Sequence, residues 1–139
     1  MTLVRFATAA SFCVLTAASY AASMAAQEAA PPVFTAAQAD AGKVAYAKNC
    51  ASCHMPDLSG DNERAPLTGP GFMTTWGDKS TKEFLRYLSG TMPYGAPALD
   101  EESYLALTAF ILKSNGARAG EVAFDKTTDV PIARTIGTP

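Results

Sequence analysis

Cys50-Ala51-Ser52-Cys53-His54 places two thiols and an imidazole within five residues. This C-x-x-C-H spacing is an attachment signature for c-type haem. Each thiol can add to one of the two vinyl groups on a haem edge. The residue that follows, His54, is then placed to bring its ring under the iron as a proximal ligand. It is the chain's only histidine. Other chemistries use a C-x-x-C pair. Half a zinc site would need four ligands, and the only other cysteine is Cys13. A thioredoxin-like pair wants a βαβ context, which the pattern does not show. A disulfide across a short loop is the plainest alternative.

The elements around the motif read as helices and loops. Thr35 followed by Gln38 is a capping-box pattern. It opens a helix over Ala36 to Asn49 that delivers Cys50 at its C-terminal end. Gly42 lies inside this helix, where glycine is unfavourable by roughly 1 kcal/mol. Close approach of another helix would compensate. Met55 to Pro70 reads as loop, with Asp57, Asp61 and Glu63 as solvated charge. Gly69-Pro70-Gly71 is a turn signal. It is not a phosphate cradle, because position 74 is threonine. Phe72 and Trp76 read as aromatics of a loop that covers something apolar. The Trp76 N–H can donate to a haem propionate, with ordinary core packing the alternative.

A second helix opens at Ser80, capped with Glu83, and ends near Ser89-Gly90. Pro93 disfavours helix at Met92 and holds that residue extended. A last helix starts at Asp100-Glu101-Glu102, with acids at its positive end, and stops at Asn115-Gly116. No strand pattern and no internal repeat is convincing. The organisation is a signal peptide over 1–26, a flexible lead-in over 27–34, one domain over 35–116 and a C-terminal extension over 117–139. The extension reads as a tail lying on the surface or partly disordered.

Length and composition bound the function. The chain has 139 residues, enough for one domain. Its formal net charge is −2, and no basic run alternates with aromatics, so nucleic-acid binding has no support. Arg5, the apolar stretch from Phe6 to Ala18 and the small residues near Ala25 read as an export signal. Cleavage would remove Cys13 and leave no membrane span. The expected address is the periplasm.

The second axial ligand follows from what the chain offers. Met24, Met55, Met73 and Met92 are the candidate sulfurs. Met55 adjoins His54 and cannot easily reach the opposite face. Met92 stands in a Gly/Pro-bounded loop long enough in reach to wrap the haem edge, and it is the expected ligand. A surface methionine beside proline is the alternative. Met/His ligation raises the reduction potential and fills both axial positions. That favours electron transfer over catalysis.

Cys50-x-x-Cys53-His54, Gly69-Pro70 and Thr91-Met92-Pro93, in that order, resemble class I cytochrome c over about Ala36 to Gly116. The resemblance implies an all-α, cytochrome c-like fold with three main helices wrapped around one covalent haem c. It implies that the first and last helices cross, with Gly42 and Tyr46 meeting the Phe110 region. It also implies that the Pro70 carbonyl accepts a hydrogen bond from the second ring nitrogen of His54. A narrower likeness is carried by Phe72 to Trp76, Thr91 to Pro97 and the helix from Tyr104 to Asn115. These are similar to the cytochrome domains and companion cytochromes of quinoprotein alcohol dehydrogenases. The chain departs from those domains in having its own export signal and no attached dehydrogenase.

The expected function is a one-electron carrier and not an enzyme, although it could serve as a subunit of a dehydrogenase complex. Its partners would be redox proteins: a dehydrogenase donor, and an oxidase or another cytochrome as acceptor. Lys48, Lys79, Lys82 and Arg86 could steer an acidic partner. A haem enzyme or gas sensor with an open axial position is the alternative.

Overall fold

The computed structural model describes residues 30–136. The export segment, with Cys13 and Met24, lies outside them, as do Gly137 and Pro139. Among the described residues six helices follow in order: α1 (Ala36–Asn49), α2 (Ala51–His54), α3 (Gly69–Trp76), α4 (Thr81–Thr91), α5 (Glu101–Ser114) and α6 (Ile132–Thr135). Among the described residues there is no strand, only three isolated bridges. No helix of the described residues is long and apolar enough to cross a membrane. The expected all-α class holds, and α1, α4 and α5 are the three main helices.

The packing of α1 on α5 is the main helix contact, and Gly42 makes it possible. A Cβ built there would collide with the Ala106 carbonyl oxygen and stand 2.8 Å from the Phe110 Cβ. Only a residue without a side chain lets the helices approach this closely. One turn on, the Tyr46 and Phe110 rings meet at 5.4 Å between centroids. Replacing Gly42 by alanine should gain about 1 kcal/mol of helix propensity. It should lose more to overpacking, typically about 1–3 kcal/mol. We expect a net loss of up to about 2 kcal/mol, read as a lower urea midpoint. A midpoint raised by the full propensity gain would show that the helices separate without cost.

The helix starts follow their caps with one difference. Ser80 and Glu83 form both halves of a capping box. Thr35 accepts the Gln38 N–H at 3.2 Å, but the Gln38 side chain does not reach back. It holds both backbone groups of Phe124 instead, donating to its carbonyl and accepting from its N–H, each at 2.8 Å. At α5, Asp100 accepts the Ser103 N–H at 2.7 Å, which holds its carboxyl below the ordinary value of 3.8. A depressed carboxyl stabilises the fold above its ordinary value and loses that contribution as pH falls through the folded one. Asp100→Asn keeps an acceptor at the cap without the titration. The variant's thermal midpoint should therefore fall less steeply below about pH 4, and an acid limb identical to wild type would count against the cap.

Three stretches differ from the sequence expectation. Gly69 to Trp76 is helix, so Phe72 and Trp76 are helical. Proline within the first turn suits a helix start, where its missing N–H leaves no bond unmade. The lead-in is anchored by Phe34, which is fully buried, as are Phe124 and Ile132 in the extension. The extension is therefore part of the core. Its backbone is tied down by Gly120 N–H to Phe34 O at 2.8 Å, Thr81 N–H to Val130 O at 2.9 Å and Ile132 N–H to Lys79 O at 2.9 Å. The Thr81 hydroxyl donates to Thr128 O at 2.9 Å and accepts from Val130 N–H at 3.2 Å.

Candidate functional site

α1 ends where the motif begins. The Cys50 N–H still reaches Tyr46 O, and the backbone then makes the single turn α2, in which the Cys53 and His54 N–H groups both bond to Cys50 O. Both cysteines are free thiols; Cys50 is half-buried and Cys53 exposed. Burial, and second the neighbouring Cys53 charge, push the Cys50 thiol up to about 11. It is therefore protonated near neutral pH, which slows disulfide chemistry through the thiolate. Among the described residues, no group of three or more His, Cys, Asp or Glu is assembled as a metal site.

His54 is oriented by a carbonyl. Its Nδ1 lies 2.9 Å from Ala65 O. A carbonyl only accepts, so Nδ1 carries the proton and Nε2 keeps its lone pair for a metal. The resemblance placed this acceptor at Pro70, and the structure corrects it. Pro70 lies in the first turn of α3, and its carbonyl accepts the Thr74 hydroxyl at 2.8 Å. Ala65 precedes Pro66, which favours an extended backbone there, and its carbonyl meets the ring.

The loop from Met55 to Thr68 is held at several points. Tyr46 donates through its hydroxyl to Met55 O at 2.6 Å and lies 3.2 Å from His54 O. Burial first, then the charges of Cys50 and Asp57, push that phenol up to about 12. Met55 and Leu58 hold left-handed φ values of 65° and 64°, a conformation that costs a non-glycine residue about 1–3 kcal/mol. Asp61 accepts the Glu63 and Arg64 N–H groups, both at 2.8 Å. Asp57 and Asp61 are thus turn-forming acceptors as well as exposed charge. Asn115 at the end of α5 closes the loop. Its side chain donates to Leu67 O at 2.9 Å and accepts from Gly69 N–H at 3.0 Å.

Met92 follows α4 directly. Its φ of −121° and ψ of 148° are extended, as Pro93 requires. Its side chain is half-buried against the core, like Leu67, Met73 and Leu99. Trp76 packs edge-on against Phe84 at 4.8 Å and tilted against Tyr87 at 5.0 Å between centroids, so its ring has a packing role. With Lys79, Glu83, Arg86 and Tyr87 it lines a shallow recess of about 370 Å³. Of the four cations read as a possible steering set, the structure brings Lys79 and Arg86 together there. Lys82 lines a second, broader recess beside α5 and the tail, which shares Glu83 and Arg86 with the first, and Lys48 lies in the last turn of α1.

These residues fit a covalent haem: two free thiols at the right spacing, a histidine whose Nε2 lone pair is available, and half-exposed apolar side chains about them. The sequence pointed to the thiols and the histidine. It gave no signal for Ala65, because a backbone carbonyl carries no side-chain signature. Asn115 was legible only as a helix stop.

A family model described as cytochrome C oxidase, cbb3-type, subunit III matches residues 37–111, more than half of the chain. No curated protein and no solved structure matches.

Proposed function

The chain belongs to the family described as cytochrome C oxidase, cbb3-type, subunit III, and from that membership we propose an exported carrier that passes single electrons between redox proteins in the periplasm. Membership makes it a c-type cytochrome with covalent haem c and an electron-transfer role. The finer reading concerns its ligands, address and partners. The acceptor is an oxidase or another cytochrome, in keeping with the family's description. The donor is a periplasmic dehydrogenase, on the likeness of the Phe72 to Trp76 and Thr91 to Pro97 stretches to companion cytochromes of quinoprotein dehydrogenases.

The observation that carries the reading is the His54 ring, fixed by Ala65 O so that Nε2 is free to ligate. When bound, haem supplies an iron that takes up and returns one electron. Cys50 and Cys53 would hold its edge through thioethers. His54 Nε2 and Met92 Sδ would ligate its iron. The Trp76 N–H would donate to a propionate. With His54 and Met92 both holding the iron, small molecules would be kept from it, which would suit relay and not catalysis.

Met92→Ala tests the ligand pair. The ferric variant should lose the thioether–iron charge-transfer band, and its reduction potential should fall. A band that survives would place the sulfur ligand elsewhere. Rapid carbon monoxide binding by the reduced wild-type protein at neutral pH would favour the enzyme or sensor alternative.

A further inference from the structure

We propose that Tyr104 is a positioning residue for the methionine segment, setting how readily an outside ligand displaces Met92; this rests on Met92 as the axial ligand. Tyr104 lies in the first turn of α5 with only 4% of its surface exposed. Its hydroxyl donates to Met92 O at 2.6 Å and accepts from Leu99 N–H at 3.1 Å. One oxygen thus ties both ends of the loop that follows α4.

Little else holds that loop. Between its ends one backbone bond is formed, Ala96 N–H to Pro93 O at 3.3 Å. The Tyr94 side chain is 92% exposed. Met92 itself is gripped from two sides, since its N–H bonds to Leu88 O at 3.0 Å while its carbonyl is held by Tyr104. The first bond belongs to α4 and the second to α5. The root of the Met92 side chain is therefore fixed where two helices meet.

Removing the hydroxyl leaves the Met92 carbonyl and the Leu99 N–H without this partner. The segment then opens more often while the helices stay folded, as a local event of low cost. A ligand that enters only when the methionine has left binds more tightly in proportion to the open fraction. Of the two bonds lost, the one to the Met92 carbonyl bears directly on the methionine, and its loss corresponds to a factor of about three to ten.

The test uses holoprotein and imidazole. Ferric Tyr104→Phe should bind imidazole about three- to tenfold more tightly than wild type, with covalent haem and helix content retained. Thr81→Val is the control, because it removes a buried hydroxyl that also makes two hydrogen bonds, between α4 and the tail. It should lower the denaturation midpoint without changing imidazole affinity. A Tyr104→Phe affinity within about twofold of wild type, or an equal rise in Thr81→Val, overturns the proposal. Hydrogen exchange in the wild type gives a measure free of any variant. The Leu99 amide should exchange at least about tenfold more slowly than those of Tyr94 and Ala98, and equal rates overturn the proposal. Imidazole affinity unaltered in Tyr104→Phe, with the charge-transfer band lost in Met92→Ala, defeats the positioning role alone. A band retained in Met92→Ala defeats the ligand reading and this inference with it.

Discussion

Replacing Cys50 and Cys53 together by alanine is expected to abolish covalent haem. The chain made in a haem-maturing host should show no added haem mass and should release any colour on acid–acetone extraction. Both thiols are free and stand on either side of one helical turn. No other cysteine lies among the described residues. Each single variant should keep one thioether, so its haem should survive extraction, with a shifted absorption band because one vinyl group stays conjugated. The double variant should also lose stability. Haem is a large apolar group, and its removal exposes the half-buried side chains about the motif at about 25 cal/mol per Å² of apolar surface returned to water. Haem that stays bound to the double variant after denaturation would show attachment elsewhere.

The second large effect lies far from the motif. Phe124→Ala is expected to cost about 3–5 kcal/mol, the usual range for truncating a fully buried phenylalanine. A domain of this kind has only about 5–15 kcal/mol in total, so the variant should unfold at a much lower urea concentration. Phe124 is 1% exposed, and Gln38 pins its backbone on both sides, so the site has little freedom to collapse around the deletion. A midpoint shift worth under about 1 kcal/mol would mean that the extension packs loosely.

The contrast between these two regions explains what was legible in the chain. The motif and its helix are local. Thr35, Gly42, Cys50, Cys53 and His54 fall in one short run, and each announces its role through residue type or spacing. The α1–α5 crossing was likewise visible through Gly42, because glycine in a helix interior asks for a reason. The extension has no period. It is held by isolated anchors such as Phe124 and Ile132, and by bonds to residues 86, 47 and 49 positions away, which no window of sequence displays. Gly69-Pro70-Gly71 misled for a different reason. The same residues open a turn or the first turn of a helix, and tertiary packing of Phe72 against Phe84 at 5.4 Å favours the helix. Gln38 shows the same competition. Its side chain could complete a capping box, but the two backbone groups of a buried segment are the costlier pair to leave unsatisfied.

The grip of Gln38 on Phe124 also orders events in time. A chain is made from its N-terminus at about 5–20 residues per second. The Cys50 to His54 stretch is thus complete several seconds before Phe124 exists. For most of that interval α1 has no α5 to cross, and throughout it Gln38 has no segment to hold. The two thiols are first displayed on an open chain, and in the closed fold Cys50 is half-buried while Cys53 stays exposed. The extension acts as a latch that closes the α1 side of the fold last.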